Sequence, residues 1–169
     1  LNPSAKLPKQ NIQVVYRSDS SGTVQNFANY MIQTVGGKWT DNGTWATALG
    51  QSPVGVSAAQ NQGVVSRLSQ TKFSIAIADP ADIKKAKLPV VSVRNANGEF
   101  VRPTAGTASR FIAAQKVEAN GLIKFNYKAK VRGAYPITLV AYGLAPTASS
   151  KPAKAAAVKD YFTYMIRTC

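Results

Sequence analysis

Residues 12–37 read IQVVYRSDSSGTVQNFANYMIQTVGG and combine a strand signal, a turn signal and a helix signal. The run at 12–17 predicts a strand, because β-branched and aromatic residues there are bounded by turn residues. Apolar residues recur at helical spacing from Val24, so we expect a helix that begins near Thr23. The glycine pair at 36–37 predicts its end. Strand, hydroxyl-rich turn and helix therefore follow one another directly.

The turn after this strand carries residue types that bind oxyanions. The first N–H groups of a helix have no intrahelical partner, and they face outward with the positive end of the helix dipole. Ser21 and Thr23 add hydroxyl donors, and Gly22 lets the backbone approach a ligand closely. Arg17 offers a planar fork of donors, which Asp19 would hold in place. A helix cap beside a surface ion pair explains the same residues, so the pattern leaves both interpretations open.

Strand and helix signals alternate along the rest of the chain, which predicts an α/β or α+β fold. The sequence shows no internal repeat and no long low-complexity tract that would indicate a repeat architecture. We expect a loop at 38–57, helices at 58–70, 107–121 and 149–167, a buried strand at 73–79, a hairpin at 88–103, and strands at 122–133 and 135–145.

Residues 122–133 alternate between basic and apolar side chains, as a strand with one solvated face would. The aromatic residues have the opposite parity from the basic ones, so the pattern lacks the stacking platform beside basic groups that single-strand binders use. We therefore expect no specific nucleic acid partner, and the basic residues form either a solvated face or a contact for anionic polymers. The basic row comprises Lys124, Lys128, Lys130 and Arg132, and the apolar row comprises Phe125, Tyr127, Ala129 and Val131.

The last predicted helix has its own start signal and an apolar stripe. Ser150 is the expected cap, and Pro152 suits the first turn because its missing N–H is not needed there. Helical spacing predicts a buried stripe made of Ala155, Val158, Tyr161, Phe162, Met165 and Ile166.

The composition excludes several kinds of site. With no histidine and a single cysteine, Cys169, the sequence offers no Ser-His-Asp or Cys-His catalysis, no Cys/His zinc site and no disulfide within itself. No phosphate-cradling Gly-rich motif and no carboxylate pair stands out, so we expect neither an enzyme nor a cofactor. The 21 Lys and Arg residues outnumber the 7 Asp and Glu residues, and the net charge of +14 attracts anions without specifying which.

The length of 169 residues suits one domain or slightly more. The longest apolar stretch, within 135–145, is too short and too polar for a membrane span. The sequence begins without Met and no signal peptide opens it, which predicts a processed or excised piece of a protein.

Residues 7–33 resemble the second-lobe entry of the phosphate-binding proteins that serve bacterial ABC phosphate importers, a type II periplasmic solute-binding family. In that family a strand ends in Arg-x-Asp-x-Ser-Gly-Thr and continues into a helix with Phe and Tyr, as at 17–23 here. Weaker similarity continues through the Pro-x-Gly and Asn-x-Gly of 52–64, through 95–104 and through 134–166. The resemblance covers nearly the whole chain, and its specific part is 17–23.

This resemblance implies a fold, a ligand and a set of ligand residues. The fold would be one α/β lobe of a periplasmic binding protein, with a mixed sheet flanked by helices. Residues 1–133 would form the second lobe, and residues 134–169 would supply the strand and helix that return to the first lobe. Inorganic phosphate would be bound by Arg17, Ser21, Gly22 and Thr23, with Asp19 orienting Arg17 instead of touching the ligand.

The resemblance also implies partners and a location. Such receptors are extracytoplasmic, in the periplasm or at the cell surface with a lipid or wall association, and they deliver phosphate to the membrane subunits of the importer. Their first lobe comes mostly from sequence that precedes this segment, and so does the carboxylate that distinguishes protonated phosphate from sulfate. We expect the present half of the clamp to bind phosphate weakly alone, because an open site leaves the anion solvated and screens Arg17.

Two departures from the family pattern favour other functions. Residues 57–60 replace a Gly-rich run, and residues 74–82 replace an aromatic-rich strand with a glycine and a glutamate. The altered 57–60 region, the missing first lobe and the net charge of +14 favour one alternative, a divergent structural or interaction module of the cell envelope that has lost phosphate binding. A second alternative is non-specific binding of polyanions through the basic surface.

Overall fold

A computed structural model describes residues 3–145 and 151–168. The chain divides into two compact units, Leu1–Leu139 and Val140–Cys169. The predicted cap Ser150 and the lone cysteine, Cys169, lie outside the described residues.

The first unit contains a three-stranded parallel sheet. Strand β1 (Gln13–Arg17) lies in the centre between β2 (Val56–Ala58) and β3 (Ser74–Ala76). Arg17 is in register with Ala58, so β1 and β2 end side by side at the same edge of the sheet. Since both strands run in parallel, the loops that follow them are neighbours.

Among its described residues, the first unit also contains five helices and two small hairpins. Together with the parallel sheet they confirm the α/β prediction. The helices are α1 (Gly22–Thr34), α2 (Trp45–Leu49), α3 (Gln60–Gln70), α4 (Pro80–Lys85) and α5 (Ala105–Ala113), and the hairpins pair β4 (Val93–Arg94) with β5 (Phe100–Val101) and β6 (Lys116–Val117) with β7 (Ile123–Lys124).

Two apolar clusters stabilise the first unit. In one cluster Val24 and Ala28 of α1 pack against Ala48 of α2, with Trp39 and Trp45 around them. The second cluster centres on Phe111 of α5. It adds Tyr127 and Ala134, with Tyr30, Phe125 and Val131 packed against it.

The structure confirms the strand predicted at 12–17 and the hairpin predicted at 88–103. It also confirms the helices predicted from Thr23 and at 58–70, which are α1 and α3. Ser21 caps α1, whose last turn closes at Val35, and Gly36 and Gly37 follow with φ of 73° and 79°. These positive angles need glycine, which explains why the helix ends there.

Three expectations in the middle of the chain are wrong. The loop predicted at 38–57 contains α2 and the start of β2, because Trp45 supplies burial that the turn-rich composition hides. The buried strand predicted at 73–79 is only β3, and its Ile75 is 42% exposed. The helix predicted at 107–121 ends at Ala113, since the residues after it pair as the β6–β7 hairpin.

For the strand predicted at 122–133, the alternation of exposed and buried side chains is correct, but the predicted length is wrong. Only β7 is a strand, yet the basic row is exposed and the apolar row is buried or half-buried. Beyond β7 the backbone bonds to side chains, with Tyr127 N donating to Gln33 Oε1 (3.0 Å) and Asn126 N to Gln115 Oε1 (2.7 Å). These side chains take the place of a neighbouring strand. Exposed and buried residues therefore continue to alternate without the backbone hydrogen bonds of a sheet.

The strand predicted at 135–145 does not form. Thr138 N donates to Pro136 O (2.9 Å) and Thr138 Oγ1 to Tyr135 O (2.8 Å), so the backbone closes on itself as a turn. Proline at 136 has no N–H for a ladder, which also disfavours a strand.

The second unit contains the helix α6 (Pro152–Arg167), which confirms the helix at its predicted place with proline in the first turn. The predicted buried stripe is wrong, since Tyr161, Met165 and Ile166 are 59%, 45% and 82% exposed. Among its described residues this unit has no second helix or strand to cover the stripe. Phe162 is half-buried and its ring lies over Gly143, where an added Cβ would clash with it.

Candidate functional site

Arg17 and Asp19 form a two-pronged ion pair at the end of β1. Arg17 Nε donates to Asp19 Oδ1 (3.2 Å), and Arg17 Nη2 donates to Asp19 Oδ2. The Arg17 side chain is only 13% exposed, against 37% for Asp19. The Arg17 guanidinium, followed by the backbone N–H of Gln60, holds the pKa of Asp19 well below its usual range. The pair is therefore ionised over the physiological range, with the guanidinium plane fixed.

Ser21 links this ion pair to the start of α1. Its Oγ accepts a hydrogen bond from Thr23 N (3.0 Å), which is the helix cap, and another from Arg17 Nη1 (2.8 Å). A serine hydroxyl accepts two hydrogen bonds and donates one. Both acceptor positions are therefore occupied, and the O–H of Ser21 is available to donate to a third group. The cap predicted from the sequence and the donor predicted for an anion are thus the same hydroxyl.

The first turn of α1 faces open space. The N–H groups of Gly22 and Val24 lie in this turn, where a helix provides no carbonyl partner. A Cβ added at Gly22 would meet no atom within 4 Å. The start of α1 therefore offers unpaired N–H donors beside an exposed glycine, the kind of position at which helices bind oxyanions.

The structure brings all five predicted site residues together. Arg17, Asp19 and Ser21 are in direct contact, and Gly22 and Thr23 follow as the first turn of α1. The arrangement provides a fixed cation, a hydroxyl donor and helix N–H groups on one side of one loop. That these residues bind phosphate stays a prediction.

Three further residues around this site were missed by the sequence reasoning. Gln60 N donates to Asp19 Oδ1 (2.8 Å), and Arg17 Nη1 lies 3.5 Å from Asn61 Oδ1. Gly43 O accepts from Ser21 N (2.9 Å). Gln60 and Asn61 begin α3, which follows β2, and β2 itself carried no recognised strand signal. Gly43 lies in a segment predicted as a loop, and nothing in that pattern indicates a contact with Ser21.

The basic row has a different environment from Arg17. Its four side chains are exposed, and Arg132 Nε lies 3.9 Å from Glu99 Oε1 with its side chain 94% exposed. In addition, Gly133 N and Asn95 Nδ2 donate to Glu99, and these hydrogen bonds lower its pKa. The row is thus a set of solvated charges near one internally bonded carboxylate.

The loop at 17–23 lines neither of two clefts of the first unit. These clefts, of about 360 and 350 Å³, lie elsewhere, one beside Tyr30 and Tyr127 and the other beside Gln62 and Asp82.

Within 3–145 and 151–168, no group of three or more His, Cys, Asp or Glu side chains could hold a metal ion. In the same ranges, no helix combines the length and the apolar character that a bilayer crossing needs.

A family model described as a PBP superfamily domain matches residues 3–168. The chain is 33% identical over 166 residues to the phosphate-binding protein PstS of Xylella fastidiosa strain Temecula1, covering 96% of this chain and 44% of that relative. It is 31% identical to the phosphate-binding protein PstS of Methanocaldococcus jannaschii, covering 98% of this chain and 47% of the relative. The chain therefore spans about half the length of these curated relatives.

Solved structures agree on the fold. A high-affinity periplasmic phosphate-binding protein, PfluDING bound with phosphate, superposes with a TM-score of 0.64 at 22% identity, over 91% of this chain and 49% of that one. A DING protein superposes with a TM-score of 0.57 at 21% identity, over 94% of this chain and 52% of that one. At these identities the likeness supports a common fold.

Proposed function

The chain belongs to the PBP superfamily, and we propose that it is the phosphate-binding lobe of an extracytoplasmic solute receptor. The curated relatives named phosphate-binding proteins supply the ligand class, and the loop at 17–23 supplies the chemistry. The proposed ligand residues are Arg17, Ser21, Gly22 and Thr23, and Asp19 orients the guanidinium.

One observation carries this proposal. Arg17 is fixed by Asp19 through two parallel hydrogen bonds, and it also donates to the hydroxyl that caps α1. A fixed guanidinium beside a helix N-terminus matches the geometry and charge of a tetrahedral oxyanion, because its N–H groups can pair with two oxygens at once. Because Ser21 Oγ already accepts from Arg17 and from Thr23, its O–H can donate to such an anion.

The chain supplies half of such a receptor under this proposal. Residues 1–133 form the second lobe, and residues 134–169 return toward a first lobe, which this chain does not contain. The complete receptor acts as a non-enzymatic carrier and delivers phosphate to the membrane subunits of an ABC importer. The chain covers 44% and 47% of the length of two curated relatives, which is what half of a two-lobe receptor would cover.

A titration monitored by amide NMR tests the proposal, because it detects weak binding to an open half-site. Phosphate and sulfate are added separately at low and at moderate salt. We expect saturable shifts at Gly22, Thr23 and Arg17 Nε, which Arg17→Ala abolishes. The matched control is Arg67→Ala, which removes one exposed charge from α3 and leaves the site untouched.

Three results would argue against a phosphate lobe. The first is shifts lost equally in Arg17→Ala and Arg67→Ala. The second is shifts that map to the basic row. The third is no saturable binding even after a complementary first lobe has been supplied, and this third result would point to the divergent envelope module.

Binding of anionic polymers through the basic row is a second candidate function. The exposure of Lys124, Lys128 and Lys130 on one side of the segment favours it. Such binding would depend steeply on salt concentration, prefer polymers to inorganic phosphate and be insensitive to Arg17→Ala.

A further inference from the structure

The start of α3 touches both members of the Arg17–Asp19 pair. Asp19 Oδ1 accepts from Arg17 Nε (3.2 Å) and also from the backbone N–H of Gln60 (2.8 Å). The next residue, Asn61, is half-buried and offers its Oδ1 to Arg17 Nη1 at 3.5 Å. One carboxylate and one guanidinium are thus bonded to two consecutive residues that are more than forty positions away along the chain.

The strand pairing makes this contact possible. Arg17 of β1 and Ala58 of β2 are in parallel register, and Ser18 N donates to Ala58 O (3.0 Å) just beyond the strand. The loop after β1 and the turn into α3 therefore lie next to each other at one edge of the sheet. The register decides which residue of α3 meets the ion pair, and a slip of one residue would remove both contacts.

The backbone of Gln60 is unusual in a way that the ion pair explains. Its φ is 58°, in the left-handed region that a residue with a Cβ rarely adopts. This conformation occurs where its N–H donates to Asp19 Oδ1. Backbone strain of this kind persists only where surrounding contacts fix it, and it concentrates at functional sites.

We propose that Gln60 and Asn61 are positioning residues, which orient the Arg17–Asp19 pair for an oxyanion bound at the start of α1. Gln60 fixes the carboxylate through its N–H, and Asn61 limits rotation of the guanidinium from the side opposite Asp19. The inference rests on the proposed function for the identity of the ligand. The positioning itself is a property of the protein without ligand.

The first test observes Arg17 directly in the ligand-free protein. The Arg17 Nε–Hε resonance is recorded for the wild type, for Asn61→Ala and for Gln62→Ala, the exposed neighbour in the same helix. We expect the resonance to move or broaden in Asn61→Ala and to stay in place in Gln62→Ala. An unchanged resonance in Asn61→Ala would overturn the proposal. This readout needs no phosphate, so it decides the matter even if the chain binds none.

The second test uses phosphate affinity in a double-mutant cycle. Asn61→Ala is expected to weaken binding about threefold in the wild-type background, the size of one weak hydrogen bond. In the Asp19→Asn background the same change should have a clearly smaller effect, because both residues act through Arg17. Equal effects in the two backgrounds would mean that Asn61 acts on the ligand independently, which would overturn its positioning role.

The third test concerns the strained backbone. Gln60→Gly and Gln60→Ala both keep the N–H and both lose the long side chain, so their difference isolates the left-handed conformation. We expect the glycine variant to have the higher melting temperature by a few degrees, because glycine adopts positive φ freely. Equal melting temperatures would show that Gln60 is not held in this conformation in solution, and the Gln60 part of the proposal would fall.

Discussion

Arg17 and the basic row carry the same sign of charge in opposite settings. Arg17 is 13% exposed and donates to Asp19 and Ser21, with Asn61 within reach. The basic row is exposed along its whole length, and the Arg132 side chain is 94% exposed beside Glu99. The first cation has lost its freedom to reorient before any ligand arrives, whereas the others keep that freedom.

This difference separates attraction from recognition. A solvated lysine contributes to the long-range field, which draws any anion and weakens with salt. A fixed guanidinium contributes little to that field but presents donors at set positions, and the cost of orienting it has been met during folding. Variants at Arg17, Asp19, Gly43 and the basic row can separate the two contributions by experiment.

The largest expected effect comes from Arg17→Lys, which keeps the charge and removes the planar guanidinium with its several N–H donors. Lysine cannot bond Asp19 in two parallel contacts and also reach Ser21, so the charge becomes like those of the basic row. We expect phosphate affinity measured by NMR titration to fall about 30-fold or more, the usual cost of losing a charged hydrogen-bond pair. Arg67→Lys in α3 is the matched control and should change affinity by less than about twofold.

The second prediction removes the charge that orients Arg17. Asp19→Asn keeps the shape of the side chain and breaks the ion pair, so phosphate affinity should fall about tenfold, even though the variant is one unit more positive. Asp160→Asn in α6 is the control, since it makes the same change in net charge at a residue outside the proposed ligand set. A gain in affinity in Asp19→Asn would show that net charge outweighs orientation.

The same variant has a signature in its acid stability. The folded-state pKa of Asp19 is lowered by Arg17 and Gln60. The stability that Asp19 contributes is therefore fully present above its unfolded pKa of about 4 and is lost as the pH falls through the folded value. Melting temperatures measured from pH 7 to pH 2 should fall more for the wild type than for Asp19→Asn. Parallel curves would contradict this linkage.

The third prediction concerns Gly43, whose backbone carbonyl accepts a hydrogen bond from Ser21 N. A Cβ at Gly43 would lie 2.8 Å from Ser20 Oγ and 3.2 Å from Ser21 N, so the Ser21 backbone must shift by a few tenths of an ångström. We expect Gly43→Ala to weaken phosphate binding about threefold with little loss of stability, because site geometry tolerates small shifts poorly. Gly106→Ala in α5 meets no atom within 4 Å and serves as the control.

The smallest expected effect comes from the basic row. Changing Lys124, Lys128 and Lys130 together to glutamine removes charge without touching the Arg17 pair. At 0.15 M salt the screening length is about 8 Å, so phosphate affinity should change less than about twofold. Binding to a polyanion such as polyphosphate should lose part of its salt dependence, with the slope reduced by up to about 2–3. A large loss of phosphate affinity would place the anion site at the basic row instead.

The sequence predicted the local parts of this fold well. Strand β1, the cap at Ser21 and the end of α1 depend on neighbouring residues, whose preferences agree with the structure. The alternation of basic and apolar residues at 122–133 also predicted correctly which side chains are exposed, because such alternation follows burial whether or not a strand forms.

The long-range parts could not be predicted in the same way. The segment after β7 bonds to the side chains of Gln33 and Gln115, and no local pattern announces such partners. The three-residue β2 depends on pairing with β1, so its turn-rich sequence concealed it. The same limit explains why Asn61 was missed while five neighbouring residues at 17–23 were proposed, since Asn61 reaches Arg17 through the β1–β2 register.

Hydrogen exchange at the Gln60 amide, which donates to Asp19 Oδ1, would report how often this contact opens. That amide proton can exchange with solvent only when the carboxylate releases it, so its exchange rate measures how often the two loops part. Asp19 and Gln60 are separated by a long stretch of chain, and their bond can close only after β1 and β2 have paired. Protection of this one proton would therefore appear late in refolding and would mark the moment when Arg17 becomes fixed.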